Sequence, residues 1–368
     1  MLKLKNYIKL NPKEHISKGE IVRQVAMADL EPFNRDIKKW SYIKYKSGTK
    51  FRNGDILLAR ITPCLENGKT SFVNSLKQGE VAVGSTEFYV LRAIEGKMDP
   101  NYLYYLSISQ NFRKNLIKSM TGTSGRQRVT KEALLNYETD IPDIDNQKDI
   151  GLKLSLIDDI ISINNKINDN LDELMTLIFE KFINKNKFKK ESLSNIANYQ
   201  NGLAMKNFPP KNGEKGLPVL KIKELNQGYT DFSSDRCTSK IDNSVTVHVG
   251  DIVFSWSGTL LVKNWSGNIA GLNQHLFKVT SKIFPEWFIY EWTKYYLRKF
   301  QIIAAGKATT MGHIKRSDIN NSIVYVPNKS YLNDASRVMN PIYNKRIEII
   351  KENQQLNTIK QVLLHNFF

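Results

Sequence analysis

The chain has 368 residues, an apolar fraction of 41% and a formal net charge of +18, from 54 Lys and Arg against 36 Asp and Glu. That length allows two ordinary domains, and the apolar content is that of a globular protein rather than a disordered one. The charge excess points to a polyanionic partner, nucleic acid ahead of an anionic membrane, with a merely lysine-rich surface as the competing explanation.

In chain order, "GEIVRQVAMADLEPFN" near 19–34 leads into "GDILLAR", "TSFVNSL" and "GEVAVGSTEFYVLRA". These runs of Val, Ile, Phe and Tyr between glycine-marked turns read as strands of a mixed sheet. A helix is expected after Pro100 in "DPNYLYYL", with Tyr102 and Tyr105 as core residues. The basic, glycine-started stretch "TGTSGRQRV" near 121 and an apolar turn follow, ending at Pro142. Next comes a helix from about Ile144 to Ile183, roughly 60 Å long at 1.5 Å per residue, where globular helices average about 11–12 residues.

The same series then repeats. "GLPVLKIKELNQGYTD" near 216–231 answers the segment near 19–34, and "VGDIVFSWS" at 249–257 answers "NGDILLARI" at 53–61. "FPEWFIYEW" at 284–292 answers "DPNYLYYL", with Trp287 and Tyr290 as expected core. "AGKATTMGHIKR" near 305 leads through "DINNSIVYVP" to Pro327, 185 residues after Pro142. A second long helix closes the chain.

In the first long helix Ile157, Asn164, Leu171 and Ile178 fall seven apart, with Ile160, Ile167 and Leu174 three residues after the first three. In the second, Ile342, Ile349, Leu356 and Leu363 occupy the corresponding places, with Ile359 in the other row. This predicts a coiled-coil seam over about four heptads, interrupted by the polar Asn164, Lys345 and Glu352. The fold class expected is α+β: two mixed α/β domains of one tandem duplication, separated by two long antiparallel coiled-coil helices. The boundaries expected are 1–142, 143–184, 185–327 and 328–368.

Catalytic chemistry is conspicuous by its absence. His15, His248, His275, His313 and His365 include no pair at zinc-ligand spacing, and there is neither a GxxxxGK[ST] loop nor a GxGxxG after a strand. "NFPPK" at 207–211 has its aromatic ahead of the prolines, unlike the Asn-Pro-Pro-aromatic tetrad of amino-methyltransferases. "IPD" at 141–143 opens onto a helix, where a metal-dependent nuclease motif needs a second acid and a lysine on an adjacent strand. No catalytic and no metal-ligating residue is expected. Cys64 and Cys237 form no CxxC or disulfide framework, so a reducing cytoplasm is expected. "MLKLKNYIKLNPKEH" lacks a signal-peptide core, and no run of 18 apolar residues predicts a membrane span.

The pieces together resemble the DNA-specificity subunit of type I restriction–modification systems. The resemblance covers essentially the whole chain. It rests on "GTSGRQRVTKEALLNYETDIPDIDNQKDI", on "GSTEFYVLR", on "LDELMTLIFEKFI" at the end of the first long helix, and on their order and duplication. The second copy departs from the pattern where "PNKSYLNDASRV" replaces the proline-to-glutamine step. The resemblance implies two target-recognition domains, each reading half of a split double-stranded DNA site, with the helices setting the spacing between halves. It implies no catalysis by this chain and no cofactor of its own. S-adenosylmethionine, ATP and Mg would belong to partners, namely two methyltransferase subunits and restriction/translocase subunits. The apolar seam and the aromatics Phe179, Phe182, Phe367 and Phe368 at the helix ends are the surface expected to meet the methyltransferase subunits.

The residues expected to touch DNA cluster in the two repeated loops. Between Phe112 and Lys131 stand Arg113, Lys114, Lys118, Arg126, Arg128 and Lys131 with no acid. Between Lys294 and Arg316 stand Lys294, Arg298, Lys299, Lys307, Lys315 and Arg316, again with none. Thr123, Ser124, Arg126, Gln127 and Arg128 in the first loop, and Lys307, Thr309, Thr310 and His313 in the second, are the candidates for phosphate and base-edge contacts. A second face follows each Gly-Asp turn, with Arg60, Thr62 and Lys69 in one half and Ser255, Ser257, Lys263 and Asn264 in the other. Ser85 and Thr86, aligned with Asn273 and Gln274, complete the set. For each loop the competing reading is a solvated connection, and for each strand end a turn cap. The rival functions are a stand-alone methyltransferase or nuclease with a cryptic motif, and a coiled-coil adaptor protein.

Overall fold

The computed structural model describes residues 1–123, 125–183, 188–231, 233–306 and 312–368. It divides into two compact units, Met1–Ile160 with Asn357–Phe368, and Ile161–Leu356. The two long helices, Ile144–Ile183 and Lys329–Phe367, each contribute to both units.

Among the described residues each unit carries the same three sheets. In the first, an antiparallel sheet orders Ile8–Leu10, Phe88–Ala93, Asp55–Ala59 and Thr70–Phe72. A mixed sheet orders Ser41–Lys44, Ile21–Val25, Ala82–Gly84 and Thr49–Phe51, with the middle pair parallel. Leu2–Lys3 pairs with Glu138–Thr139. The second unit repeats this as Asn198–Asn201, Leu276–Thr280, Ile252–Ser255 and Val262–Asn264; as Arg236–Cys237, Leu217–Leu220, Ala270–Leu272 and Thr246–Val247; and as Lys189–Ser192 with Ile323–Val326. The duplication read from sequence is therefore a duplication of topology.

The repeated Gly-Asp turn has a physical reason. Gly54 and Gly250 sit at φ +85° and +94°, a region that disfavours side chains. The aspartate that follows closes the turn and meets a cation of the neighbouring strand. Asp55 accepts from the Arg52 amide (2.8 Å) and takes both arms of Arg92 (2.6 and 2.7 Å). Asp251 accepts from the His248 amide and from Lys278 Nζ, both at 2.7 Å.

The helix after each sheet packs its aromatics inward as expected: Tyr102, Tyr105, Trp287 and Tyr290 are all buried. The first unit has two helices here, Pro100–Ile108 and Gln110–Lys118, where the second has one, Glu286–Ala305. The acid of "IPD" is a helix cap. Asp143 accepts from the amides of Asp145 and Asn146, and those bonds hold its carboxyl below the usual carboxylate range. Gln147 is the buried staple of that corner. Its amide nitrogen donates to the Lys97 and Pro142 carbonyls, and its oxygen accepts from the Asp99 amide. In the second copy Asn328 takes the capping role, accepting from the Tyr331 amide, which explains how the departure in sequence still starts a helix.

The seam of the long helices needs a correction. The row Ile157, Asn164, Leu171 and Ile178 faces inward, but Ile160, Ile167 and Leu174 are 41%, 42% and 43% exposed. The second buried row lies four residues after the first and includes Ile161, Asn168, Met175 and Phe182. The same shift exposes Ile359, Lys345 and Glu352 and turns Arg346, Asn353 and Lys360 inward. Those polar residues are matched. Within the second unit Asn164 donates to Asn353 (2.9 Å), Asn353 to Asn165 (3.0 Å), and Arg346 pairs with Asp172 (2.9 Å). Within the first, Lys360 pairs with Asp158 at 2.7 Å. In both units the partners run in opposite directions along the helices, so the pairing is antiparallel. The helix-end aromatics are likewise corrected. Phe179 and Phe182 are buried in the second unit's core, and Phe367 and Phe368 pack on the first unit's core, Phe368 lying 5.0 Å from the Tyr102 ring.

Beside Arg346 and Asp172, Glu291 is 1% exposed, and burial pushes its carboxyl up to about 7. Below 4.5, its ordinary value, both folded and unfolded chains hold the proton; between 4.5 and about 7 only the folded chain does, so stability falls as pH rises through that window. Glu291→Gln keeps an acceptor for Thr176, which donates to Glu291 now. It is expected to leave stability unchanged at pH 4 and raise it by up to about 3 kcal/mol at pH 8, as read by urea melts at both values.

Candidate nucleic-acid interface

In the first unit the glycine loop is sewn to the end of the strand Asp55–Ala59. Thr62 N donates to the Gln127 carbonyl (3.0 Å), and Gln127 N donates back to Thr62 Oγ1 (3.1 Å). Arg128 bridges Thr121 on one side and Ile61 on the other, and Val129 N donates to the Arg60 carbonyl at 2.9 Å. Tyr89 reaches across from the adjacent strand to donate to the Val129 carbonyl (2.8 Å). Gly122 and Gly125 supply the positive φ values, +125° and +76°, that let the loop fold back on itself.

This stitching brings together three groups of residues that are distant in sequence. Arg60, Thr62 and Arg126 to Arg128 share one edge with the Ser85–Phe88 turn, closed by the Phe88 amide on the Ser85 carbonyl. Ser85 Oγ accepts from the Glu87 amide, so Ser85 caps that turn while Thr86 stands exposed at its tip. Glu87 then receives Arg60 Nε (3.3 Å) and Arg128 Nε and Nη2 (3.0 and 2.7 Å). The Arg128 bonds foremost hold the Glu87 carboxyl below its usual range against the opposing effect of burial, and the Arg60 bond adds to them. Thr123 and Arg126 are exposed. Ser124 lies outside the described residues.

Lys69 is placed close by but spends its ammonium on the Met27 carbonyl at 2.7 Å. Arg113 is a clear correction to the basic loop set. It is 6% exposed, donates to the Leu65 and Glu66 carbonyls and lies over the Phe33 ring, so it braces the domain's interior.

The second unit keeps the backbone scaffold and changes the side chains. Ile314 N donates to the Trp256 carbonyl (3.0 Å) as Val129 does to Arg60, and His313 bridges Ser257 as Arg128 bridges Ile61. Trp256 N donates to the His275 carbonyl (3.3 Å) just as Arg60 N does to that of Glu87 (3.0 Å). Trp256 thus stands in the place of Arg60, and His275 in that of Glu87. His275 meets Ser257 Oγ through Nδ1 (3.0 Å) and the Gln274 amide through Nε2 (3.3 Å). Gln274 is exposed like Thr86, and Asn273, like Ser85, holds the turn. Lys307, Thr309 and Thr310 lie outside the described residues.

Three candidates of this half are corrected. Ser255 is fully buried, its hydroxyl donating to the Thr259 carbonyl and accepting from the Leu261 amide (2.9 Å). Ser257 is 3% exposed and orients His275. Asn264 is 7% exposed and donates to the Gly250 carbonyl and the Tyr343 hydroxyl. All three are spent inside the fold: Ser255 on the loop after its strand, Ser257 on His275, and Asn264 on the Gly250 carbonyl and on Tyr343 of the last long helix. Lys263 remains at the surface, with Nζ on the Asn226 carbonyl. Lys294 leaves the basic set as well, paired with Asp172 and Thr176. Sequence reading missed Glu87 altogether, because an acid inside a basic patch looks like a reason to discount it.

Among the described residues no group of three or more His, Cys, Asp or Glu could hold a metal ion, and no helix is long and apolar enough to cross a membrane. What the geometry defines is a duplicated α+β protein whose halves present equivalent loop-and-turn edges with different side chains. Residues 4–173 match the family described as the type I restriction modification DNA specificity domain. The type I restriction enzyme EcoAI specificity subunit of Escherichia coli is 38% identical over 120 residues, 33% of this chain and 20% of its own length. The MjaIX specificity subunit of Methanocaldococcus jannaschii is 26% identical over 295 residues, 72% of this chain and 67% of its own. Among solved structures, the type I restriction–modification S subunit from M. genitalium shares the fold with a TM-score of 0.54 at 13% identity, over 100% of this chain and 95% of its own. That family match lies within the first half of the chain, at residues 4–173, and the chain spans about a fifth of the length of the E. coli relatives it matches.

If Ser255 is a turn-holding residue, Ser255→Ala leaves the Leu261 amide without its acceptor. A loss of about 1–3 kcal/mol in denaturant unfolding is expected, with no such loss for Thr86→Ala at the exposed turn tip.

Proposed function

We propose that this chain is the DNA-reading subunit of a type I restriction–modification complex, each unit reading one half of a bipartite double-stranded site, with no catalysis of its own. The observation that carries this reading is the duplicated edge: one backbone scaffold, Arg60, Glu87 and Arg128 on one copy and Trp256, His275 and His313 on the other. Two unequal readers on a common frame suit two unequal half-sites. Formal charge of +18 supports a phosphate backbone as partner. The names of the relatives, all specificity subunits, support the role.

The finer reading assigns two methyltransferase subunits and restriction/translocase subunits as partners, in the cytoplasm. S-adenosylmethionine, ATP and Mg are held by those partners and not by this chain. The outward row of the central helix favours it. Leu156, Ile160, Ile163, Ile167, Leu174 and Leu177 are all more than 40% exposed at helical spacing, an apolar stripe of the kind that marks a protein contact.

Two outcomes are expected. Replacing Arg126 and Gln127 with Ala should relax discrimination at one half-site only, by about 1–3 kcal/mol for each lost bidentate contact. Binding selections from randomised DNA would read this, and equal relaxation at both half-sites would contradict one domain per half-site. Replacing Ile163 and Ile167 with Lys should abolish co-purification with the methyltransferase while changing the chain's own unfolding by about 0.5 kcal/mol or less for each exposed site.

A further inference from the structure

The carboxylate of Glu87 sits where a DNA-binding surface is otherwise basic, and a negative charge there opposes phosphate. Its contacts indicate what it does. Arg60 uses only Nε on Glu87, while its guanidinium lies over the Tyr89 ring with the central carbon 5.1 Å from the ring centroid. Its two terminal nitrogens make no hydrogen bond among the described residues, and it remains partly exposed. A guanidinium fixed by Nε and by an aromatic face, with both terminal nitrogens available, is prepared to donate in parallel to the two acceptors of one guanine edge. Arg128 is held differently. Its Nε and Nη2 are taken by Glu87 and its Nη1 donates to the Arg126 carbonyl (3.3 Å), so it ties the loop to the turn. In the second unit Trp256 and His275 occupy the two places, and Trp256 donates to Asn201 instead.

We propose that Glu87 is a positioning residue that sets the base specificity of the first unit: it aims Arg60 at a base edge and locks Arg128 into the scaffold of the loop. This rests on the reading of that edge as DNA-facing. Glu87 acts through the two arginines and touches no base itself. In the second unit His275 stands in the place of Glu87 and Trp256 in that of Arg60, so that half-site is read with different side chains.

The test uses the full chain and randomised duplex DNA. Glu87→Gln should lower discrimination at the first half-site on the order of 10- to 100-fold, the worth of one bidentate contact. The second half-site should keep its preference. Because one negative charge no longer offsets the two arginines, overall affinity for random DNA should rise and the log–log salt dependence should steepen. A residue that merely holds the fold together would instead weaken binding and leave the salt slope shallower or unchanged. Arg60→Lys keeps the charge and loses the planar fork, so it should reproduce the loss of discrimination with the salt slope of the parent. It carries the same test should Glu87→Gln fail to fold. Retained discrimination in both variants, or equal loss at both half-sites, overturns the proposal. A parent chain with no salt-dependent, sequence-selective binding would instead overturn the DNA-facing reading beneath it.

Discussion

The structure turns on the register of the two long helices. A helix of 40 residues cannot hide a whole face inside one small domain, so its inward rows must find a second helix. Apolar rows alone would tolerate sliding by a heptad. The polar residues in the seam do not: Asn164 has one partner for its amide in Asn353, and Lys360 one carboxylate in Asp158. Each of these groups is buried or nearly so, and leaving one unmatched costs about 1–3 kcal/mol for an amide and about 3–5 kcal/mol for a charged group. Asn164 and the inward Asn353 and Lys360, and not the exposed Lys345 and Glu352, are what permits only one alignment.

With the helices fixed, each unit builds its edge from the same backbone bonds. Arg60 and Trp256 both donate to the residue that closes the neighbouring turn, and both accept from the segment leaving the glycine loop. Main-chain hydrogen bonding does not depend on side-chain identity, so the frame survives duplication while the side chains on it diverge. The first copy became an ionic cluster around Glu87 and the second an aromatic and imidazole one around His275.

A sequence read alone determined much of this protein. Glycine-aspartate turns, and proline-started aromatic helices recurring at a spacing of 185 residues, announced the duplication, because turns and caps are local and depend on a few residues. The central helix was legible to its ends, since Asp143 and the apolar repeat are both local signals. Three-dimensional packing decided the rest. Both rows of a heptad look alike in sequence, and only the position of the partner helix put Ile161 inside and Ile160 outside. Ser255, Arg113 and Lys294 are polar residues in a polar context, yet the loop at 259–261, the loop at 65–66 and the central helix take up their polar atoms. Glu87 was invisible for the converse reason: its meaning lies in Arg60 and Arg128, 27 and 41 residues away, and only the folded chain brings the three together.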